Sequence, residues 1–321
     1  MLRARSGILV AFSIVSTCAA TLQLQAQTLS DVLRQNYVTA DAGLGDRSER
    51  QITSYAVRNA DELFAIAYYW APAPARAGDP PGGTPLADTL YVSLFNKSQG
   101  SWTHAAYSRT ALRDRSHNIG SALRISFTRD HLFIDTHVNP SAGTVLVLSR
   151  SLQLITALNG WTELLLPGGA LVYQKSMVHF APTHPAELRI FDPASMRDTS
   201  LYPTLPYDAV RLQYTERVRE IYSRLGDDWF RLNNHHMMAE LFESRIGTPV
   251  ADSSGTRIAF IAMFGEGGGT RAATPLVEVL VVCDDVLRRS ACSETELSAT
   301  RLAHPDWSDE RILAEALARR L

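Results

Sequence analysis

Short runs of alternating or fully apolar residues, separated by turns rich in Gly, Pro, Asn and Asp, fill the chain between about residues 50 and 302 and predict strands rather than helices. The clearest set starts at Glu163. A short strand is followed by the Pro167-Gly168-Gly169 turn, a strand over 171–177, a loop, a strand over 188–191, the turn Asp192-Pro193-Ala194 and a last strand ending near Tyr202. The same order can be laid on three other stretches, with second strands at 63–69, 132–138 and 258–264. Third strands follow at 90–95, 144–148, 188–191 and 277–282, and fourth strands at 102–107, 152–157, 199–202 and 296–300. The second strands at 132 and 171 are 39 residues apart; those at 171 and 258 are 87 apart, about 45 without a helical insertion. The first interval, 69 residues, reaches that period only after discounting a Pro-rich loop and a linker.

The pattern changes after Pro206. Val210, Tyr214, Val218, Ile221, Tyr222 and Leu225 recur at helical spacing, Gly226 is a stop, and residues 229–242 read as a second helix, so 207–248 forms a helical insertion. A last helix is expected near the C-terminus, with Ser308 as cap and Ile312, Leu313, Ala316 and Leu317 as its apolar face. At the other end, Arg3 and Arg5 precede the apolar run 8–15 and a stretch of small residues ending Leu24-Gln25-Ala26. That is the layout of a secretory signal peptide over 1–26, with cleavage after Ala20 as the variant.

Repeated four-stranded meanders resemble the blades of a β-propeller, over roughly residues 50–302. The resemblance is to exported bacterial proteins of propeller-like architecture. It carries neither the Gly-His and Trp-Asp signature of WD repeats nor the Ser-x-Asp-x-Gly-x-Thr box of sialidase blades. The expected fold is therefore all-β and propeller-like, with four countable blades and a fifth if 29–52 contributes one; a β-sandwich with a helical insertion is the alternative. The expected organisation is a signal peptide at 1–26, an N-terminal extension at 27–50 and one domain at 51–321.

Export changes the reading of charge and cysteines. Loss of 1–26 removes two arginines and no acids, taking the formal charge from −2 to −4. Lys and Arg are scattered, with no aromatic-interleaved basic run, which argues against a nucleic-acid partner. No later stretch is long and apolar enough for a membrane helix, so a periplasmic or secreted location is expected. Thr17 stands where a lipobox wants Gly, Ala or Ser, which argues against lipidation at Cys18. Cys283 and Cys292 then remain in an oxidising compartment, placed to clip the last hairpin by a disulfide; two buried free thiols are the alternative.

In an up-and-down sheet, alternate connections emerge on opposite ends. First-to-second and third-to-fourth turns are tight here, whereas 71–88, 139–143, 180–186, 265–275, 109–120 and the insertion are predicted to crowd the other end. His117, His137, His179 and His184 lie in or beside those loops, and His235 and His236 lie in the insertion. Of these, His137, His179, His184, His235 and His236 are candidate ligands for a transition metal, since converging imidazoles with Asp or Glu can bind zinc and activate water. Their spacing gives no independent support, for no His-Glu-x-x-His occurs. Solvated or hydrogen-bonded loop histidines are the alternative. The aromatic residues Tyr68, Tyr69, Trp70, Trp161, Tyr173 and Phe180 offer stacking surfaces, but strand positions favour the core. Gly265 to Thr270 lacks a P-loop ending, the pairs Asp227-Asp228 and Asp284-Asp285 suit caps and turns, and no Gly-x-Ser-x-Gly is present.

No cofactor-binding motif stands out. The function expected is a non-catalytic binding or scaffold role, with a protein, peptide or glycan taken by the loop-rich end. The alternatives are a metal-assisted hydrolase or lyase using the histidines, and a structural subunit of an envelope complex.

Overall fold

The computed structural model describes residues 27–38, 47, 49–71, 89–108, 119–139, 142–176, 187–202, 242–266, 274–288 and 291–318. The predicted signal peptide, Cys18, and the insertion from 207 to 241 lie outside these residues.

The strands form three antiparallel sheets. The first orders β1 (Gln27–Thr28), β2 (Gln51–Asn59), β3 (Leu63–Trp70), β4 (Thr89–Asn96) and β5 (Ser101–Ser108) in sequence. The second runs through β6 (Ser121–Phe127), β7 (His131–Asn139), β8 (Ala142–Ser149), β9 (Leu154–Leu165), β10 (Leu171–Lys175), β11 (Leu188–Asp192) and β12 (Arg197–Tyr202). The third joins β13 (Phe242–Ile246), β15 (Ile258–Glu266), β16 (Thr274–Asp284) and β17 (Ala291–Glu296), with β14 (Val250–Ala251) also paired to β15. These are the expected meanders, and the marker strands at 63, 132, 171 and 258 are second strands of their units.

Blades two and three are not separated by a linker. β9 pairs with β8 through Leu154 to Asn159 and with β10 through Gly160 to Leu165, so the fourth strand of one blade continues as the first of the next. Gly160 marks the handover: a Cβ there would sit 2.1 Å from the Gln174 carbonyl oxygen, an approach only glycine permits.

Alternation along each second strand fixes the stacking, because successive side chains leave opposite faces. From β3, Ala65, Ala67 and Tyr69 meet Leu132, Ile134, Leu146 and Leu148 of the second blade. From that blade's other face, Phe133, Val145 and Val147 meet Leu171, Tyr173 and Phe191 of the third. Val172, Leu188 and Ile190 then meet Ile258, Phe260, Val279 and Val281 of the fourth. Four blades thus pack in series, and a two-sheet sandwich does not describe them.

The two outermost faces are covered by helices. Phe64, Ile66, Tyr68 and Trp70 of the first blade lie against Leu29, Val32 and Leu33 of α1 (Leu29–Gln35), which a reciprocal Thr28–Asp31 capping box begins. Ala259, Ile261, Leu280 and Val282 of the fourth lie against Ile312, Leu313 and Ala316 of a C-terminal helix over Asp309–Ala318, begun by Ser308 as expected. The described strands do not close into a barrel; they form a capped row, the arrangement by which stacked repeats hide terminal apolar faces.

Three expectations are corrected. Among the described residues of 29–52, Leu29–Gln35 form a helix and Gln51 and Ile52 begin β2, where strands of a fifth blade were considered, because Leu29, Val32 and Leu33 present a helical stripe to β3. The tail of the insertion is strand, since 242–246 pairs with Ala262 to Glu266. The last fourth strand lies at 291–296, not 296–300, because Cys283 pairs directly with Cys292, and Ser298–Ala303 forms α2, with the Asp309–Ala318 helix as α3. The disulfide itself is present, with sulfurs 2.05 Å apart and Cα atoms 4.0 Å apart. No helix among the described residues is long and apolar enough to cross a membrane.

Candidate functional site

The ends of the blades sort as expected wherever described residues join them. The Tyr69 hydroxyl, at the end of β3, donates to the Gly120 carbonyl at 2.8 Å, just before β6. Thr136 donates to the Thr144 carbonyl at 3.1 Å. The Ser176 hydroxyl, after β10, accepts from the Gly143 amide and donates to the Gly143 carbonyl, both at 3.0 Å. The bases of the connections after β3, β7 and β10 therefore share one end. At the opposite end Arg150 reaches across the β6–β7 turn, and Pro167 packs against Gly255 of the fourth blade's first turn.

The loop-bearing end has a polar centre that the sequence reading did not single out. Asp135, on β7, is only 4% exposed. One carboxylate oxygen takes the Arg124 Nε at 2.7 Å, and the other takes the Thr162 amide at 3.1 Å and the Thr162 hydroxyl at 2.8 Å. Arg124 also donates to the Thr162 carbonyl. The pair ties β6, β7 and β9 together, and with three donors the Asp135 carboxylate is occupied structurally. Next along β9, burial pushes the Glu163 carboxyl up from the ordinary carboxylate range; Arg124 pulls it down and Asp135 adds to the rise.

Trp161 completes this region. Its ring lies over Gly143, where a Cβ would come 2.4 Å from the indole Nε1. The glycine thus lets the half-buried ring approach the β8 backbone closely. The other aromatic candidates are packing groups: Tyr68, Tyr69, Trp70 and Tyr173 are all buried, because both faces of their blades are covered. Phe180 lies outside the described residues.

Of the candidate metal ligands, His137 is described. It is half-buried on β7, opposite Ser121 and Gly143, at the loop-bearing end and in phase with Asp135. His179, His184, His235 and His236 lie outside the described residues, as does His117. Among the described residues no three His, Cys, Asp or Glu side chains gather to hold a metal ion. Asp284 ends β16 and pairs with Arg257 at 2.5 Å, so it is a strand residue rather than a turn residue, whereas Asp285 occupies the turn that follows, at φ 48°. Asp227 and Asp228 are outside the described residues.

One signal for Asp135 was available in the sequence. In His131-Leu132-Phe133-Ile134-Asp135-Thr136-His137 the carboxylate falls in phase with Phe133, on a face the neighbouring blade must cover. A charge in an apolar row calls for a partner, and Arg124, on the adjacent strand, is that partner.

No family model matches the chain, and no curated protein matches it significantly. Among solved structures it is similar to a point variant of Synechocystis apocarotenoid oxygenase, with 8% identity over 80% of this chain and 52% of that one, at a TM-score of 0.31. It is also similar to a GH43 β-1,3-galactosidase, with 8% identity over 80% of this chain and 49% of that one, at a TM-score of 0.27. The chain spans about half the length of these proteins, and likeness at this level carries no argument about activity or substrate.

Proposed function

We propose that the chain is an exported binding protein that takes a protein, peptide or glycan on its loop-bearing end and performs no chemistry on it. The observation that carries the reading is the use made of the polar groups at that end. Asp135, Thr162, Thr136 and Ser176 are spent on bonds between strands, and Tyr69 and Ser176 tie three blades together at the bases of their loops. Such a base is a rigid platform, and long connections on a rigid platform are where recognition concentrates. The disulfide fits an oxidising compartment, in keeping with the signal-peptide reading of residues 1–26.

The test is binding to peptide and glycan arrays by the wild-type chain and by a chain whose 72–88 and 177–186 segments are replaced with short Gly-Ser turns. Reproducible spots on the wild-type array that vanish with the replacement support the reading. Spots retained by the replaced chain overturn it.

A second reading, a metal-assisted hydrolase or lyase, is favoured by His137 standing in phase with Asp135 at the same end. Near-equimolar zinc in protein purified without chelator, lost on changing His137, His179 and His235 to Ala, would establish it and displace the first.

A further inference from the structure

The first strand of every blade is irregular. Ser54 and Tyr55 of β2, Leu123 of β6 and Glu163 of β9 have no partner on the second strand beside them, and in the fourth blade pairing to β15 breaks between Ile246 and Val250. An extra residue of this kind drops out of the ladder and re-aims its side chain, which is why bulges recur beside binding sites.

Two of these extra residues lie together. Arg124, which follows Leu123, donates to the carbonyl of Thr162, which precedes Glu163. Leu123 is 55% exposed. Glu163 is half-buried, and no hydrogen bond or ion pair from the described residues reaches its carboxyl. Neither of its oxygens is among the fully enclosed atoms that lack a partner, so the unbonded carboxyl keeps a path to solvent. The cation nearby is committed elsewhere, with Nε on Asp135 at 2.7 Å and Nη2 on the Thr162 carbonyl. Arg124 and Asp135 cancel one another, and the ionised Glu163 carboxylate is left as one negative charge without a counter-ion. Burial penalises that charge. A cation arriving from outside supplies what is missing, and it gains more in this partly dry setting than a neutral hydroxyl would. A carboxyl that costs the fold stability and still opens to solvent is the kind of group that recognition retains.

We propose that the bulged edge of β6 and β9 binds a lysine or arginine side chain of a peptide, with its cationic head on Glu163 and an adjoining apolar residue on Leu123. The inference rests on the reading of the loop-bearing end as a recognition surface, and it names the partner there as a basic peptide.

The experiment is calorimetric titration of the whole chain, near neutral pH, with a blocked Gly-Leu-Lys-Leu-Gly peptide. Beside it stands the same peptide with norleucine for lysine, which keeps the apolar stem and lacks the charge. Saturable binding of the lysine peptide is expected, with the norleucine peptide weaker by about tenfold or more, the loss that follows one missing charge-assisted hydrogen bond. Glu163→Gln is expected to lose the same factor for the lysine peptide and little for the norleucine peptide. Burial disfavours the charge that this change removes, so a melting temperature at or above that of wild type would show that lost affinity is not lost folding. Leu123→Ser is expected to weaken both peptides. Absence of saturable lysine-peptide binding, equal binding of the norleucine peptide, or unchanged affinity in Glu163→Gln or Leu123→Ser would each overturn the proposal. Array spots that depend on the 72–88 and 177–186 segments but not on Glu163 would also overturn it while leaving the loop reading in place. Lysine-peptide binding that needs Glu163 and survives replacement of those segments would support it and count against the loops.

Discussion

Asp135 shows how one residue holds several strands. Its carboxylate is paired with Arg124 and Thr162, so removing it leaves the Thr162 amide buried without an acceptor. An orphaned buried donor costs about 1–3 kcal/mol, and loss of the ion pair adds to it, although half-exposed Arg124 can turn to water. Asp135→Ala is expected to lower unfolding free energy by about 3 kcal/mol, read from urea denaturation. Glu163 acts in the opposite sense. Burial raises its pKa in the folded chain, so the native state holds the proton more tightly than the unfolded one. Stability is then fullest below the ordinary value of 4.5 and falls as pH rises through the raised folded value. Glu163→Gln is expected to melt higher than wild type near neutral pH and to lose part of the wild type's decline above 4.5. Melting curves across that range check it; parallel wild-type and variant profiles would contradict it. Among single residues, Asp135 carried a signal in its phase with Phe133 that the sequence reading did not use, whereas Glu163 carried no sign in sequence, because the charged groups that act on it, Arg124 and Asp135, lie on other strands.

At the scale of elements, the strand pattern was the strongest signal, because the blades are buried on both faces and their second strands are rich in apolar residues, β3 throughout. The boundary between blades two and three was less visible. β9 serves both, and Gly160, where the sheet passes from one pairing to the next, looks in sequence like any strand glycine. Residues 29–35 were read as part of a possible blade because a short amphipathic helix and a short strand share much of their apolar content. The cysteine pair was legible as a clip on the last hairpin, although the sequence reading set Cys292 before the fourth strand, and the structure places it on that strand opposite Cys283. The bridge closes a loop with a sequence separation of 9 and is worth about 2–3 kcal/mol by loop entropy. Changing Cys283 and Cys292 together to Ser is expected to lower stability by that amount, measured by denaturant titration under non-reducing conditions. An unchanged midpoint would show that the hairpin register is held by its ladder alone.

At the scale of the whole molecule, the described residues form a capped row of four blades, with the long connections leaving from one end and short turns at the other. The sorting of ends was readable from the order of short and long turns, because an up-and-down meander forces it. The helical caps were only half readable: α3 carried its own cap and apolar stripe, while which sheet face it would cover depends on the packing of all four blades. The central claim is that this row stands by itself and that 72–88 and 177–186 are carried for recognition. Its most direct test is the melting temperature of the chain in which those two segments are replaced by short Gly-Ser turns. The bonds at the loop bases, from Tyr69 to Gly120 and from Ser176 to Gly143, survive the replacement, so melting within about 4 °C of wild type is expected, the shift of about 1 kcal/mol in a chain of this size. A fall several times larger, or loss of cooperative unfolding, would show that the segments belong to the core of the fold and would contradict the account.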